Sequence, residues 1–214
     1  MIKYSLVFLV ALCCYTSNAQ EVAVLKYKGG GDWYSNPTSL PNLVKYCNTH
    51  IHTTINNTIE RVEPGSPDIF RYPFLHMTGH GNVFFSEEEA LNLRKYLISG
   101  GFLHVDDNYG MRPYFEKEIK KVFPEYDLKE LPKTHEIFNI AYEFNTGLPK
   151  IHEHDGKSPK AFGIIHNDRL VVLFTFESDL GDGWEDEEVH NDPYEVREKA
   201  LKMGANIIKY AFQH

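Results

Sequence analysis

The sequence predicts an α/β protein in which a mostly parallel sheet is covered by helices on both faces. Two observations carry that expectation. From residue 22 onward, short apolar runs alternate with amphipathic helical stretches, the pattern of parallel strands joined by helical crossovers. Late in the chain, "AFGIIHNDRLVVLFTF" reads as two strands meeting at Asn167 and Asp168, a tight hairpin that adds an antiparallel pair. At 214 residues, with 14% aromatic and 24% charged residues, the chain can bury one good core. No repeat or linker divides it, so residues 20–214 are expected to form a single domain.

The elements follow in order. "MIKYSLVFLVALCCYTSNAQ" has a positive start at Lys3, a short apolar core from Leu6 to Leu12 and the small-residue pattern Ser17, Asn18, Ala19. This is the pattern of a signal peptide over residues 1–19, cut after Ala19, and it predicts an exported protein, periplasmic or secreted. A lipoprotein reading of Cys13 or Cys14 is weaker, because bulky Leu12 stands before them. The apolar run is too short to span a bilayer, and no later stretch is long enough to act as a transmembrane segment after cleavage. Removing the segment leaves Cys47 as the one remaining cysteine of three, so no internal disulfide can form despite export. Cys47 lies in the amphipathic "LPNLVKYCNTH" and reads as a small core residue rather than a nucleophile.

"VAVLKY" is a strand, and a helix over 38–48 follows, with Leu40, Leu43, Val44 and Cys47 on one face. "TTINNTIERVEP" reads as extended, and residues 74–78 as a strand ending in a glycine-flanked histidine. Ser86 and Glu89 form a capping box that starts the next helix, which Gly100 stops. "GFLHV" is a buried strand, and Phe115, Ile119 and Val122 mark the helix after it. Residues 127–160 read as an irregular insertion and residues 177–188 as an acidic loop. The last helix is expected to be capped by Asp192, with Pro193 in its first turn and Glu195 completing a box.

In an open parallel sheet, ligands bind beyond the carboxyl ends of the strands. Four strands here run into polar loops: Gly29 to Tyr34, Thr78 to Gly81, Asp106 to Tyr109, and Glu177 to Trp184. The expected rim site therefore comprises Trp33, His80, Asp106, Asp107, Tyr109, Asp179, Asp182 and Trp184, with His135 of the middle loop able to reach it. Asp106 and Asp107 alternate within a strand, so one faces a given ligand while the other is free to cap the following helix. The triple glycine lacks phosphate-loop spacing, and the acidic loop lacks the spacing of a helix–loop–helix calcium site. His152, Glu153, His154 and Asp155 look like a metal tract, but the neighbouring Gly156 and Lys157 favour an incidental surface turn. The net charge of −8, with no basic run, argues against a nucleic-acid partner.

"GGGDWY", "YPFLHMTGHG", "GGFLHVDD", "FPEYDLKELPKTHEIF", "DRLVVLFTFESDLGDGWE" and "ALKMGANIIKYAF" together resemble the exported bacterial family catalogued as domain of unknown function 4159. That family is similar in fold to the class I glutamine amidotransferase-like superfamily, which includes the trehalose-utilisation-like proteins. The resemblance implies a three-layer flavodoxin-like sandwich and no established activity. A working amidotransferase has a cysteine at the strand-to-helix elbow, activated by a histidine paired to a carboxylate. The elbow here is Asp107, Asn108, Tyr109, Gly110, without a thiol, so glutaminase activity is not expected.

Three functions fit. A non-catalytic binding module would stack a polar, sugar-like ligand on Trp33, Tyr34, Tyr109 and Trp184, with carboxylates taking hydroxyls. A hydrolase would use a divalent metal held by some of His80, Asp106, Asp107, His135, Asp179 and Asp182 to activate water. A protein-interaction domain of an envelope system would use the rim only as scaffold. The first is the preferred expectation.

Overall fold

The computed structural model describes residues 19–214, so all of the expected signal segment except Ala19 lies outside the described residues. Seven strands form one sheet: β1 (Val22–Leu25), β2 (Glu60–Val62), β3 (Phe74–His80), β4 (Phe102–Tyr109), β5 (Lys129–Glu130), β6 (Lys160–His166) and β7 (Arg169–Phe176). Their order across the sheet is β2-β1-β3-β4-β7-β6-β5, parallel from β2 to β7 and antiparallel over β6 and β5. The hairpin between β6 and β7 turns at Asn167 and Asp168, both left-handed at φ 48° and 62°, as a tight twisted turn requires.

The helices are α1 (Ser39–His50), α2 (Glu87–Ile98), α3 (Arg112–Val122), α4 (Leu180–Trp184), α5 (Glu187–His190) and α6 (Tyr194–Gln213). Strand alternation sorts the core into two layers. Leu75, Met77, Leu103 and Val105 face α2 and α3, packing on Leu93, Leu97, Phe115 and Ile119. Phe74 and Phe102 face the other side, with Leu43, Cys47, Trp184, Met203 and Ile207 of α1, α4 and α6. The result is a three-layer flavodoxin-like sandwich. The capping box at Ser86 and Glu89 closes in both directions, at 3.2 and 2.8 Å. Among the described residues no helix is long and apolar enough to cross a membrane.

Two local expectations are corrected. The acidic stretch 177–188 is not a loop throughout: it folds into α4 and the start of α5, because Trp184 is fully buried and its indole N–H donates to the Ala200 carbonyl at 2.8 Å. The last helix starts at Tyr194, with Pro193 as its extended cap residue and no side-chain cap. Asp192 does not cap it, because its carboxylate holds His152 instead, at 2.9 Å. Cys47 is fully buried, and burial pushes its thiol up to about 12.

Candidate functional site

Strand order reverses at β1: the chain goes to β2 on one side and returns to β3 on the other, so a crevice opens at their carboxyl ends. The loops after β1 and β3 meet there through the Gly31 N–H to Asn82 carbonyl bond at 3.0 Å. Asp32 accepts from both the backbone N–H and ring Nδ1 of His80, at 2.5 and 2.9 Å. That pairing fixes the tautomer and leaves Nε2 of the half-exposed imidazole pointing away from its carboxylate.

On the α1, α4, α6 face a chain of hydrogen bonds runs from core to rim. His76 and His104 sit side by side on β3 and β4, with Nδ1 atoms 3.1 Å apart. His104 Nε2 lies 3.1 Å from Thr175 Oγ1, whose hydroxyl donates to Asp106 Oδ1 at 2.5 Å. The hydroxyl proton is thereby engaged, so His104 Nε2–H is the donor to Thr175 and its Nδ1 accepts from His76 Nδ1–H. His76 Nε2 is then a buried acceptor without a partner. Burial holds His76 down to about 3 and His104 well below the usual imidazole range. Asp106 also accepts from the Gly181 N–H at 2.6 Å; burial pushes its carboxyl up to about 7 against these two bonds. Gly181 is required for this approach: a Cβ there would lie 3.0 Å from Asn36 Nδ2 and 3.1 Å from Asp106 Oδ2.

The end of β7 carries the greatest strain. Glu177 and Asp179 are both left-handed, at φ 55° and 58°. Ser178 between them ties in the 149–154 segment, accepting from Ile151 N–H at 2.9 Å and donating to the Pro149 carbonyl at 2.6 Å. This brings His152 and His154 to the rim. His154 Nε2 lies 2.5 Å from Asp179 Oδ2, while Asp179 Oδ1 is buried without a partner. Burial, with Asp106 and Asp182 nearby, pushes Asp179 up to about 9. His152 lies between two acids, Nδ1 3.0 Å from Asp182 and Nε2 2.9 Å from Asp192. Those bonds raise its imidazole to about 9, Asp182 first. Burial would raise Asp182, but hydrogen bonds from His152 and Asn36 hold it below the usual carboxylate range.

A groove of about 470 Å³ opens beside this cluster, lined by Asp107, Tyr109, Arg112, His154, Lys157, Phe176 and Glu177 among others. The half-exposed Tyr109 ring packs on His154 with centroids 4.9 Å apart. Arg112 lies over Phe162 and Phe176, 4.4 and 4.7 Å from their centroids, and its Nε donates to Glu116 at 2.7 Å. A larger depression, about 570 Å³, lies at the β2 edge among Glu60, Arg61 and Arg71; it contains no histidine and lies away from the strained turns.

The sequence profile of a family described as "Domain of unknown function (DUF4159)" matches residues 21–212. The chain belongs to that family. No curated protein matches it.

In this DUF4159 domain, His80, Asp106, Asp107, Tyr109, Asp179 and Asp182 all stand at the carboxyl rim. Asp106 and Asp107 point to opposite faces, and Asp107 caps α3 by accepting from Met111 and Arg112 N–H at 2.8 and 3.1 Å. Burial raises Asp107 while those bonds lower it, and the raise prevails. Trp33 is half-buried on the β1 side, near Arg61 and Ile59, and does not border the Tyr109 groove. Trp184 lies beneath the rim, 5.4 and 5.6 Å from the His76 and His104 rings, and offers no surface to a ligand. His135 is at the opposite end of the sheet, 5.7 Å from Tyr210, whose hydroxyl accepts from Leu170 N–H at the start of β7. The residues expected to hold a metal therefore do not form one shell. Asn36, His152, His154, His190 and Asp192 were not expected at the site. The signal for two of them was present: in an extended segment, His152 and His154 two apart face the same way.

Proposed function

We propose that this DUF4159 domain is a non-catalytic binding module that takes a small, polar, sugar-acid-like ligand in the groove beside Tyr109. The observation that carries the reading is Arg112. Its guanidinium rests against two phenylalanine rings, and its terminal nitrogens have no hydrogen-bond partner among the described residues. A planar, pre-oriented fork of this kind suits a carboxylate. Tyr109 offers a ring face, and Asp155, 3.1 Å from the Tyr109 hydroxyl, and Glu177 offer acceptors for ligand hydroxyls. The missing elbow thiol and the engagement of both Asp107 oxygens in capping favour binding over nucleophilic chemistry.

The N-terminal segment supports placing this binding outside the cytoplasm, periplasmic or secreted; mass spectrometry of the mature protein should find Gln20 as its first residue, and a soluble mature form retaining Met1 would refute export. The binding test is isothermal titration with glucuronate, glucose and inorganic phosphate. Glucuronate should bind saturably and more tightly than glucose, and Arg112→Ala and Tyr109→Ala should each weaken it at least tenfold. No saturable binding by any of the three would abandon the reading and leave the envelope-interaction role in its place.

A second reading, hydrolysis, has one observation in its favour: the left-handed, buried Asp179 with an orphaned Oδ1 and a histidine 2.5 Å away. Turnover of a bound glycoside or ester that disappears in Asp179→Asn would favour it over pure binding.

A further inference from the structure

The histidine and carboxylate groups behind the groove are arranged as a metal centre that the ligand reading does not use. His152 Nδ1, Asp182 Oδ2 and His190 Nε2 converge within 4.8 Å of one another. Asp182 Oδ2 lies 3.0 Å from His152 Nδ1 and 3.8 Å from His190 Nε2. A tetrahedral cation with ligands at about 2.0–2.2 Å sets them roughly 3.3–3.6 Å apart, between the 3.0 and 3.8 Å found for Asp182 Oδ2, and three such ligands leave a fourth position open.

The groups around these three atoms are those that hold metal ligands in place. Asp192 is bonded to His152 Nε2, at 2.9 Å, which orients the ring so that Nδ1 faces Asp182. Asn36 Nδ2 holds the other Asp182 oxygen, Oδ1, at 2.5 Å, so Oδ2 is free to face inward.

An independent observation points the same way. Asp179 is fully buried, its Oδ2 is 3.9 Å from His152 Nδ1, and its Oδ1 has no partner. A buried carboxyl oxygen left without a partner beside a histidine ringed by carboxylates is an acceptor that a cation would take up. Glu185, 3.3 Å from His190 Nε2, is a further oxygen at the edge of the shell.

We propose that His152, Asp182 and His190 bind one divalent cation of the zinc class, with Asp192 and Asn36 orienting the ligands. Two imidazoles and a carboxylate suit a borderline first-row ion better than magnesium or calcium, which prefer all-oxygen shells. The site is distinct from the set His80, Asp106, Asp107 and His135, none of which contributes a ligand.

The test is isothermal titration of the purified protein, stripped with EDTA and dialysed, with zinc chloride and, separately, magnesium chloride. Wild type should take up one equivalent of zinc and bind magnesium at least a hundredfold more weakly. His190→Ala, a change on the short exposed α5, should weaken zinc at least tenfold. Asp182→Asn should do so more severely, and Asp192→Asn by about 10–100-fold as a positioning residue. His50→Ala, on the exposed end of α1, should bind as wild type. Cobalt should give a visible absorption band in wild type that is lost in His190→Ala. Absence of zinc uptake by wild type, or wild-type uptake by His190→Ala with unchanged circular dichroism, overturns the proposal. If Asp182→Asn fails to fold, His190→Ala decides alone.

Discussion

The buried pair His76 and His104 should make the protein lose stability in mild acid, by an amount that can be worked out. Both rings are fully buried, and burial holds His76 down to about 3 in the folded state. In the unfolded chain the same ring titrates near about 6.5. A histidine lowered on folding contributes stability that is complete above the unfolded value and is lost as pH falls toward the folded one. Each pH unit below about 6.5 costs about 1.4 kcal/mol, so at pH 5 the loss is about 2 kcal/mol for His76, and His104, also lowered by burial, adds to it. Asp106 and Asp179 work in the opposite sense. Their carboxyls are raised to about 7 and about 9, so they add stability as pH falls from those values toward the unfolded value near about 4. The clean measurement is therefore a difference. His76→Leu is close in volume and removes the unpartnered Nε2, but it leaves His104 Nδ1 without its donor, so at pH 7 it should cost about 1–3 kcal/mol. Urea unfolding of both proteins in EDTA at pH 7 and pH 5 should then show the variant gaining about 2 kcal/mol on wild type between the two. A relative gain below about 0.5 kcal/mol would refute the reasoning, because it would mean that His76 takes up a proton without unfolding.

Gly181→Ala should cost about 1–3 kcal/mol in urea unfolding, because its Cβ would press on Asp106 and Asn36. Asp179→Asn keeps the shape, suits the left-handed backbone and removes a carboxyl held near 9; the fall in stability from pH 4 to pH 9 should flatten, with a gain on the order of 2 kcal/mol near pH 7 by thermal melts. Cys47, buried with its thiol at about 12, should resist iodoacetamide in the native protein and react once unfolded, and Cys47→Ser should cost on the order of 1 kcal/mol. Purified protein should release no ammonia from glutamine.

The sandwich was legible because its signals are local. The short apolar runs of β3 and β4, the Ser86 box and the Asn167 turn each state their element within a few residues. The rim was legible too, since parallel strands must end together. Its composition was not. Trp184 looks like a ligand platform in sequence, yet it anchors a stretch rich in acids to the core; burial of one large ring outweighed the polar composition around it. Asp192 has every local mark of a helix cap, but a histidine 40 residues upstream claims its carboxylate. His152 and His154 stand at the rim only because Ser178 ties their segment to β7, a contact no local pattern announces. His135 fails for the mirror reason: the middle insertion folds to the other end of the sheet.

The central claim, ligand binding at the rim groove, is tested most directly by amide chemical-shift mapping of the labelled protein titrated with glucuronate. The account predicts saturable shifts confined to residues around Tyr109, Gly110, Arg112, Lys157 and Glu177, lost in Arg112→Ala. Shifts centred instead on the β2-edge depression near Arg61 and Arg71, or none at all, would contradict it.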